Sequence, residues 1–427
     1  MKKILSIGLF AIMFLLGNNT VQAQGLMPEK DEYIIVIDPG HGGVNVGTTS
    51  NPNFEEKEIT MKTAKALVEE LSKYEGVSVY LTHEDDVDLS LKERAVFAEK
   101  KKADFLFSLH YNASENHTMF GTEVWIPLNA PYHAMCYEFA YLQQAEMKEL
   151  GLFSRGIKTR MNDNGTDYYG IIRESVARDI PAVIIEHCYV DESRDGSFVD
   201  SDADFAEFGR KDAIAIAKFL GLEPYEEIFE LSTLSADSII THTYEDKSTP
   251  KTVQIEAQNI NYDNNELTII VNATEGDSAL MYYDYSLDGG YTYSKLYPWP
   301  GADMLSNIYD EYFALTFSIP TNVQPEVILR AYNKFDLFST SNTISNIDFT
   351  YTPTPQPQVE LIENIEKTET PETEQVTNIS EEKANKESIT ELKTKRFFLL
   401  IAFILLWIIL LSSIVLFIIT FFGETKK

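Results

Sequence analysis

Short apolar runs alternate with amphipathic stretches from residue 33 to about residue 221. Tyr33–Asp38 is dominated by four consecutive apolar residues, which is typical of a strand buried on both faces. In Glu56–Tyr74 the apolar side chains recur at helical spacing, which predicts an amphipathic helix. Further predicted strands are Val77–Leu81, Phe105–Leu109, Thr122–Pro127 and Ala182–Glu186, and further predicted helices are Leu91–Lys101, Tyr132–Leu150 and about Phe205–Leu220. The alternation predicts an α/β domain over residues 31–221, with a mixed, mostly parallel sheet flanked by helices.

After about residue 225, apolar and polar residues alternate with a period of two, and the helical spacing of apolar residues disappears. Predicted strands are Lys251–Ala257, Glu266–Ala273, Leu280–Ser286, Tyr291–Leu296, Ala314–Ile319 and Glu326–Tyr332. Leu287-Asp-Gly-Gly290 is suited to a hairpin turn, since Asp and Gly accept positive φ. These features predict an all-β, sandwich-like domain of immunoglobulin type over residues 225–350. Its many Tyr and Trp residues could stack on sugar rings, but ordinary packing is the favoured interpretation because aromatic residues are enriched in strands.

Both ends of the chain carry apolar segments, and their patterns predict different functions. Residues 1–23 combine Lys2 and Lys3, a short apolar run and a small-residue site near Ala23, which predicts a cleaved export signal. Residues 397–423 contain no charged side chain and exceed the roughly 20 residues that a membrane-spanning helix needs. Between these ends, the Pro-, Thr- and Glu-rich stretch 351–396 predicts a disordered acidic linker. We therefore expect a single-pass membrane protein of the cell envelope, with its folded domains outside the cytoplasm.

Charge and cysteine content narrow the possible chemistry. The 427-residue chain has a formal net charge of -31, which argues against nucleic acid as a partner because a phosphate backbone needs a basic surface. Two cysteines are too few for a disulfide framework or a cysteine-based zinc site. A metal site in this chain must therefore use histidine and carboxylate ligands.

Two histidines each follow a predicted buried strand. His41 lies in Asp38-Pro-Gly-His-Gly-Gly43, directly after the first strand, and His110 follows Phe105–Leu109. Neighbouring strand ends of a sheet lie close together, so both side chains could bind one ion. Glu55-Glu56-Lys57, at the start of the first predicted helix, offers a third, carboxylate ligand. A zinc hydrolase uses three such protein ligands and one open position.

These motifs together resemble the zinc-dependent N-acetylmuramoyl-L-alanine amidases, the type 3 amidase family. The resemblance spans about residues 33–221 and rests on four motifs in order: Asp38–Gly43, Glu56–Ile59, Ser108–Ala113 and Pro181–Glu186. Arg155–Lys158 and Ile172–Ser175 also resemble stretches of that family. One departure lies after the last motif, where Cys188-Tyr-Val-Asp-Glu192 replaces a common Gly-Phe-x-Ser-Asn.

The resemblance implies a role for each matching residue. His41, Glu56 and His110 match the zinc ligands, and Glu56 is selected over Glu55 because the family's ligand immediately precedes Lys. Glu186 matches the catalytic carboxylate. The implied substrate is peptidoglycan, cleaved between the lactyl group of N-acetylmuramic acid and L-Ala of the stem peptide.

General chemistry is compatible with these roles. Zinc polarises a carbonyl and acidifies water, and a carboxylate beside it can take a proton from the attacking water and pass it to the leaving nitrogen. Two alternatives stay open: a wall-binding protein with altered catalysis, and a zinc hydrolase that acts on another peptidoglycan amide. Asp38 either orients a ligand histidine or caps its turn, and His187 is expected to point to the face opposite Glu186.

Overall fold

The computed structural model describes residues 27–129, 131–224, 243–245, 247–276, 278–320 and 323–349, all within one compact unit of the chain. The predicted signal 1–23, linker 351–396 and membrane span 397–423 lie outside these ranges, as does the whole of 225–242. No helix formed by the described residues is long and apolar enough to cross a membrane.

The first half of the described chain is built on one six-stranded sheet. Its strands are β1 Tyr33–Pro39, β2 Val77–Leu81, β3 Phe105–Asn112, β4 Thr122–Trp125, β5 Ser154–Lys158 and β6 Ala182–Tyr189. They lie in the order β2-β1-β3-β6-β4-β5, and only the β4–β6 pair is antiparallel. The predicted mixed, mostly parallel sheet is confirmed.

Helices cover both faces of this sheet. They are α1 Glu56–Leu71, α2 Leu91–Lys101, α3 Tyr132–Leu150, α4 Gly170–Val176, α5 Ser193–Gly196 and α6 Asp202–Leu220. Leu67, Phe107 and Phe139 belong to the core beneath α1, α3 and α6, whereas Leu106 and Ile172 belong to the core beneath α2 and α4. The two faces are therefore buried by different helices, as the unbroken apolar strands predict.

Three elements of this domain were not predicted from the hydrophobic pattern: β5, α4 and the four-residue helix α5. β5 is the sequence Ser-Arg-Gly-Ile-Lys, and its charged residues Arg155 and Lys158 are buried. Both side chains form ion pairs with Glu123 on β4, which offsets the cost of removing them from water. Helix α4 has only 7 residues, too few to display a helical period. Elsewhere β3 and β6 are three residues longer than predicted, because their pairing continues to Asn112 and Tyr189.

The second half of the described chain is a two-sheet β-structure, as predicted. Its strands are β7 Thr252–Asn261, β8 Glu266–Thr274, β9 Leu280–Ser286, β10 Tyr297–Pro298, β11 Tyr312–Ser318, β12 Ile328–Asn333 and β13 Phe338–Thr340. One sheet has the order β10-β9-β12-β13 and the other β11-β8-β7. Val271, Leu329 and Trp299 pack in a shared core, so the buried aromatic residues serve packing.

The predicted strand Tyr291–Leu296 is wrong. Gly289 and Gly290 do take positive φ values of 74° and 94°, but the next strand starts only at Tyr297. The carboxylate of Asp288 accepts hydrogen bonds from the Thr292 backbone at 2.9 Å and its hydroxyl at 2.6 Å. This side chain holds the segment in a loop in place of a tight hairpin.

Candidate metal centre

Three side chains converge at the carboxyl edge of the sheet. His41 Nε2 lies 3.0 Å from Glu56 Oε2, His110 Nδ1 lies 3.1 Å from Glu56 Oε1, and the two histidine nitrogens are 3.2 Å apart. His41 follows β1, Glu56 opens α1 and His110 lies near the end of β3. All three residues that the sequence predicted as metal ligands are thus brought together, and they form the group in the described chain that could hold a metal ion.

Two glycines allow this close approach. A Cβ atom at Gly40 would overlap the imidazole of His110, and a Cβ atom at Gly47 would overlap the Glu56 carboxylate and lie 2.7 Å from His41 Cδ2. The glycine-rich turn therefore has a steric function around the ligand side chains.

Hydrogen bonds orient the donor atoms of the site. His41 Nδ1 lies 2.9 Å from Asn45 Oδ1; with Nδ1 protonated, the Nε2 lone pair is left facing the other two ligands. The Glu56 carboxylate accepts hydrogen bonds from the backbone N–H of Thr48 at 2.8 Å and of Tyr111 at 3.0 Å. The surrounding protein thus orients the donor atoms of His41 and Glu56.

The charges of the site are strongly coupled. Burial acts to raise the pKa of Glu56, but hydrogen bonds and charge interactions with His110 and His41 outweigh it and hold that pKa far below the usual carboxyl range. Burial acts to lower the pKa of His41, yet the neighbouring Glu56 carboxylate raises it overall. Glu56 is therefore an anionic donor between two imidazoles, which is a donor set that suits a divalent cation.

The donor set fits zinc in kind and in spacing. Zinc binds histidine nitrogen and carboxylate oxygen at about 2.0–2.2 Å, and catalytic zinc sites use three such protein ligands. Tetrahedral donors at that bond length are about 3.3 Å apart. The two imidazole nitrogens are 3.2 Å apart, close to this value, and each lies within 3.1 Å of a different oxygen of the Glu56 carboxylate.

Glu186 lies beside this cluster on the neighbouring strand. It pairs directly with His110 in the β3–β6 ladder, so both side chains project from the same face of the sheet. Burial, followed by the charges of Glu56 and Glu123, raises the pKa of Glu186 well above the usual carboxyl value. Its Oε2 atom is buried without a hydrogen-bond partner among the described residues. A carboxyl group in this state is suited to exchanging a proton with a bound molecule.

A second buried carboxylate, Glu123, lies next to Glu186 on the strand opposite β3. Glu123 on β4 pairs with Glu186 in the sheet. Its donors are Asn112 Nδ2 at 3.0 Å, Trp125 Nε1 at 3.2 Å, Arg155 Nε at 2.7 Å and Lys158 Nζ at 2.8 Å. Glu123 thus also contacts Asn112, two residues after His110 on β3.

Asp38 does not contact a ligand histidine. Its carboxylate accepts hydrogen bonds from Thr82 Oγ1 at 2.6 Å, Arg94 Nη1 at 2.8 Å and Ser108 Oγ at 2.9 Å. Arg94 in turn donates to the carbonyls of Pro39 and His41 at 2.7 and 2.6 Å. Asp38 therefore holds the turn through Arg94, and Asn45 is the residue that orients His41.

His187 points to the opposite face of the sheet, as predicted. Its Nε2 lies 2.7 Å from Asp212 Oδ2 on α6, and its Nδ1 lies 3.0 Å from the carbonyl oxygen of His110. The buried His187 side chain therefore contacts the backbone of His110 from the opposite face of the sheet. Sequence reasoning missed that role, because it depends on where α6 packs.

The fold and the convergent His, Glu and His side chains define an α/β protein with a candidate metal centre. The model of the type 3 amidase family, described as N-acetylmuramoyl-L-alanine amidase, matches residues 35–218. N-acetylmuramoyl-L-alanine amidase CwlM of Bacillus licheniformis is 31% identical over 192 residues, which are 44% of this chain and 69% of that protein. The chain therefore belongs to the N-acetylmuramoyl-L-alanine amidase family of peptidoglycan hydrolases, and the predicted family is confirmed.

Other similar proteins match this chain over the same domain. The probable cell wall amidase LytH of Staphylococcus aureus is 32% identical over 167 residues, 39% of this chain and half of its own length. Among solved structures, Cwp6 from Clostridium difficile is 32% identical with a TM-score of 0.41, covering 44% of this chain and 29% of its own. An N-acetylmuramoyl-L-alanine amidase from Clostridium difficile 630 is 28% identical with a TM-score of 0.40, covering 45% of this chain and 98% of its own.

Proposed function

We propose that this chain is a zinc-dependent amidase that cleaves the bond between the lactyl group of N-acetylmuramic acid and L-Ala of the stem peptide. The observation that carries the proposal is the convergence of His41, Glu56 and His110 within hydrogen-bond distance of one another, beside the buried carboxyl of Glu186. These four residues are assigned as the metal ligands and the catalytic carboxylate.

The metal centre and Glu186 have different roles in the proposed amide hydrolysis. When bound, zinc supplies Lewis acidity, which polarises the scissile carbonyl and makes water a better nucleophile. Glu186 takes the proton released by the attacking water and delivers it to the leaving nitrogen of L-Ala. Burial raises the pKa of Glu186, which favours its uptake of a proton from the attacking water.

The surrounding residues keep these groups in position. Asn45 fixes the His41 imidazole, and the backbone N–H groups of Thr48 and Tyr111 fix the Glu56 carboxylate. Such outer hydrogen bonds set the ring orientation and tautomer of metal ligands.

The proposal includes a cellular setting that rests on sequence. We propose that residues 1–23 direct export and that 397–423 anchor the protein in the membrane, with 351–396 as a spacer. The amidase domain 31–221 and the β-domain 225–350 would then face the wall outside the cytoplasm. Protease accessibility of a C-terminal tag in intact cells and in lysed cells tests this orientation.

Product analysis on purified peptidoglycan tests the activity. The zinc-loaded chain should release stem peptides with a free L-Ala amino group, and a chelator should stop this release. Mass analysis separates this result from cleavage within the stem, which would indicate another amide bond as the substrate.

A Glu186→Gln variant separates catalysis from binding. It should retain zinc and lose activity, because glutamine cannot carry the proton. Peptidoglycan binding without cleavage by the wild-type chain would support a wall-binding protein, and full activity in Glu186→Gln would contradict the assignment of the catalytic carboxylate.

A further inference from the structure

The segment between β5 and α4 forms a small, well-fixed loop beside the proposed active site. The Tyr168 N–H donates to the Arg160 carbonyl at 2.9 Å, and the Asn162 N–H donates to the Thr166 carbonyl at 2.9 Å. From α4, Arg173 Nη1 donates to the carbonyls of Asp167 and Tyr168 at 2.7 and 3.0 Å. These bonds give the loop one defined conformation.

Aromatic contacts connect this loop to Glu186. The ring of Tyr169 lies 4.9 Å from that of Trp125, and Trp125 Nε1 donates to Glu123 at 3.2 Å. Glu123 is the sheet partner of Glu186. Trp125 pairs with Ile184, two residues before Glu186 on the same strand face. The loop therefore borders the face of the sheet from which Glu186 projects.

Arg160 is the one basic side chain of this loop, which also contains Asp163 and Asp167. Its guanidinium carbon lies 3.8 Å from the centre of the Tyr168 ring. It also interacts with the hydroxyl of Tyr169, where it opposes the larger effect of burial, which raises the pKa of that phenol. Stacking on a ring occupies the flat face of a guanidinium and leaves its N–H edge for hydrogen bonds. The side chain is half-buried and restrained on two sides.

The charge of Arg160 is not matched by a carboxylate in the described part of the chain. Arg94 pairs with Asp38, Arg155 with Glu123 and Arg330 with Asp284. Arg194, which lies over the Phe120 ring at 3.9 Å, resembles Arg160 in forming no such pair among the described residues. A protein with a formal net charge of -31 has ample acidic groups, yet no carboxylate among the residues that the structure describes forms an ion pair with Arg160. A fixed guanidinium of this kind is suited to an anionic ligand, and its planar fork matches a carboxylate.

We propose that Arg160 binds a carboxylate of the stem peptide and makes the enzyme prefer acidic stems over amidated ones. This proposal rests on the proposed amidase function. Arg160 is a specificity residue in this scheme: it contacts the peptide that leaves the lactyl group and takes no part in proton transfer.

Two matched substrates test the proposal on the full zinc-loaded chain: N-acetylmuramoyl-L-Ala-D-Glu with both carboxylates free, and the same compound with both amidated. The wild-type chain should cleave the diacid with the higher kcat/KM. Arg160→Gln should lower kcat/KM for the diacid about 10-fold or more, mainly through KM, since hydrogen bonds to charged groups are the strong ones. It should leave the diamide unchanged, and Arg160→Lys should restore part of the loss.

Arg178→Gln provides a control, because Arg178 is also partly buried but has Glu174 and Glu99 as partners. Arg178→Gln should have the same ratio of kcat/KM for the diacid to kcat/KM for the diamide as the wild type. The proposal would be overturned if Arg160→Gln left the diacid-to-diamide ratio of kcat/KM unchanged, whether or not kcat/KM fell equally for both substrates.

A binding measurement keeps the two proposals apart. Calorimetric titration with the uncleavable dipeptide L-Ala-D-Glu and its diamide should show tighter binding of the diacid, and Arg160→Gln should abolish the difference. That result in a chain that cleaves neither substrate would contradict the amidase function alone. Equal binding of diacid and diamide by the wild type would contradict the role of Arg160 alone.

Discussion

Arg155 Nη2 donates hydrogen bonds to both carboxylate oxygens of Asp336, at 3.0 and 2.7 Å. Arg155 lies on β5 of the amidase domain, whereas Asp336 lies in the turn between β12 and β13 of the β-domain. The same guanidinium donates to Tyr282 of the β-domain at 3.1 Å, and Phe120, Tyr282 and Met304 share an apolar cluster. The β-domain is therefore docked on the amidase domain through a buried charge that also contacts Glu123.

We expect Asp336→Asn to destabilise the chain by about 1–3 kcal/mol, because it removes the charge that pairs with a buried guanidinium. Asparagine is the appropriate substitution since Asp336 has a φ of 66°, a conformation that asparagine tolerates. Urea unfolding followed by tryptophan fluorescence measures the effect. Asp263→Asn, at an exposed position of the same domain, should have no effect. Equal midpoints for the two variants would contradict the docking role.

Glu56→Gln should abolish zinc binding, whereas Glu55→Gln should retain it. Glu56 faces both histidines, but Glu55 is the N-cap of α1 and its side chain is 43% exposed beside Lys57. The expected loss of affinity exceeds the about 10–100-fold that removal of a supporting hydrogen bond causes. Metal content after dialysis, measured by atomic emission, checks this difference. Loss of zinc in Glu55→Gln would move the ligand assignment to the neighbouring residue.

Asn45→Ala should weaken zinc affinity by about 10–100-fold without unfolding the domain. The substitution removes the oxygen that orients the His41 ring through Nδ1 and leaves all three ligands in place. Competition with a chromophoric chelator gives the affinity, and circular dichroism gives the folded fraction. Asn53→Ala is a control on the exposed part of the same connection. An unchanged affinity in Asn45→Ala would show that the turn alone orients His41.

Asp195 should make stability depend on pH. Its buried carboxylate accepts hydrogen bonds from the backbone N–H of Gly121 at 2.6 Å and of Tyr189 at 2.9 Å. Burial nevertheless raises the pKa of Asp195 from 3.8 to about 6. The folded state therefore binds this proton more tightly than the unfolded state, so the contribution of Asp195 to stability falls as pH rises from about 4 to about 6 and stays low above that.

The Asp195→Asn variant keeps an oxygen acceptor and removes the charge. Relative to the wild type it should gain stability above pH 6, by at most about 3 kcal/mol, and lose that advantage near pH 4. Denaturant unfolding at pH 5, 6 and 8 checks the trend. If the free energies of unfolding of the variant and the wild type differ by the same amount at all three pH values, Asp195 titrates normally.

Local patterns were sufficient for much of the fold. The bounds of Val77–Leu81, Leu91–Lys101, Tyr132–Leu150 and Leu280–Ser286 agree with the structure, and Ser90 and Glu93 form a capping box at the start of Leu91–Lys101. These segments have strong periodicity or clear end signals. β5 and α4 were missed because one is rich in charge and the other is a short helix, so their burial depends on partners distant in the chain.

The sequence alone determined the α/β order of the first domain, the β-structure of the second, and the identity of His41, Glu56, His110 and Glu186 as candidates. Apolar periodicity and strand-end motifs, which are local properties, predicted the order of elements and pointed to His41 and His110, whereas Glu56 and Glu186 were assigned from the resemblance to the type 3 amidase family. The tertiary structure decided that Asn45, and not Asp38, orients His41, that Glu123 backs Glu186, and that Arg160 has no carboxylate partner in the described chain. Each of these relations joins side chains whose distance is set by packing, turn geometry and strand register, and such distances are not encoded in any single stretch of sequence.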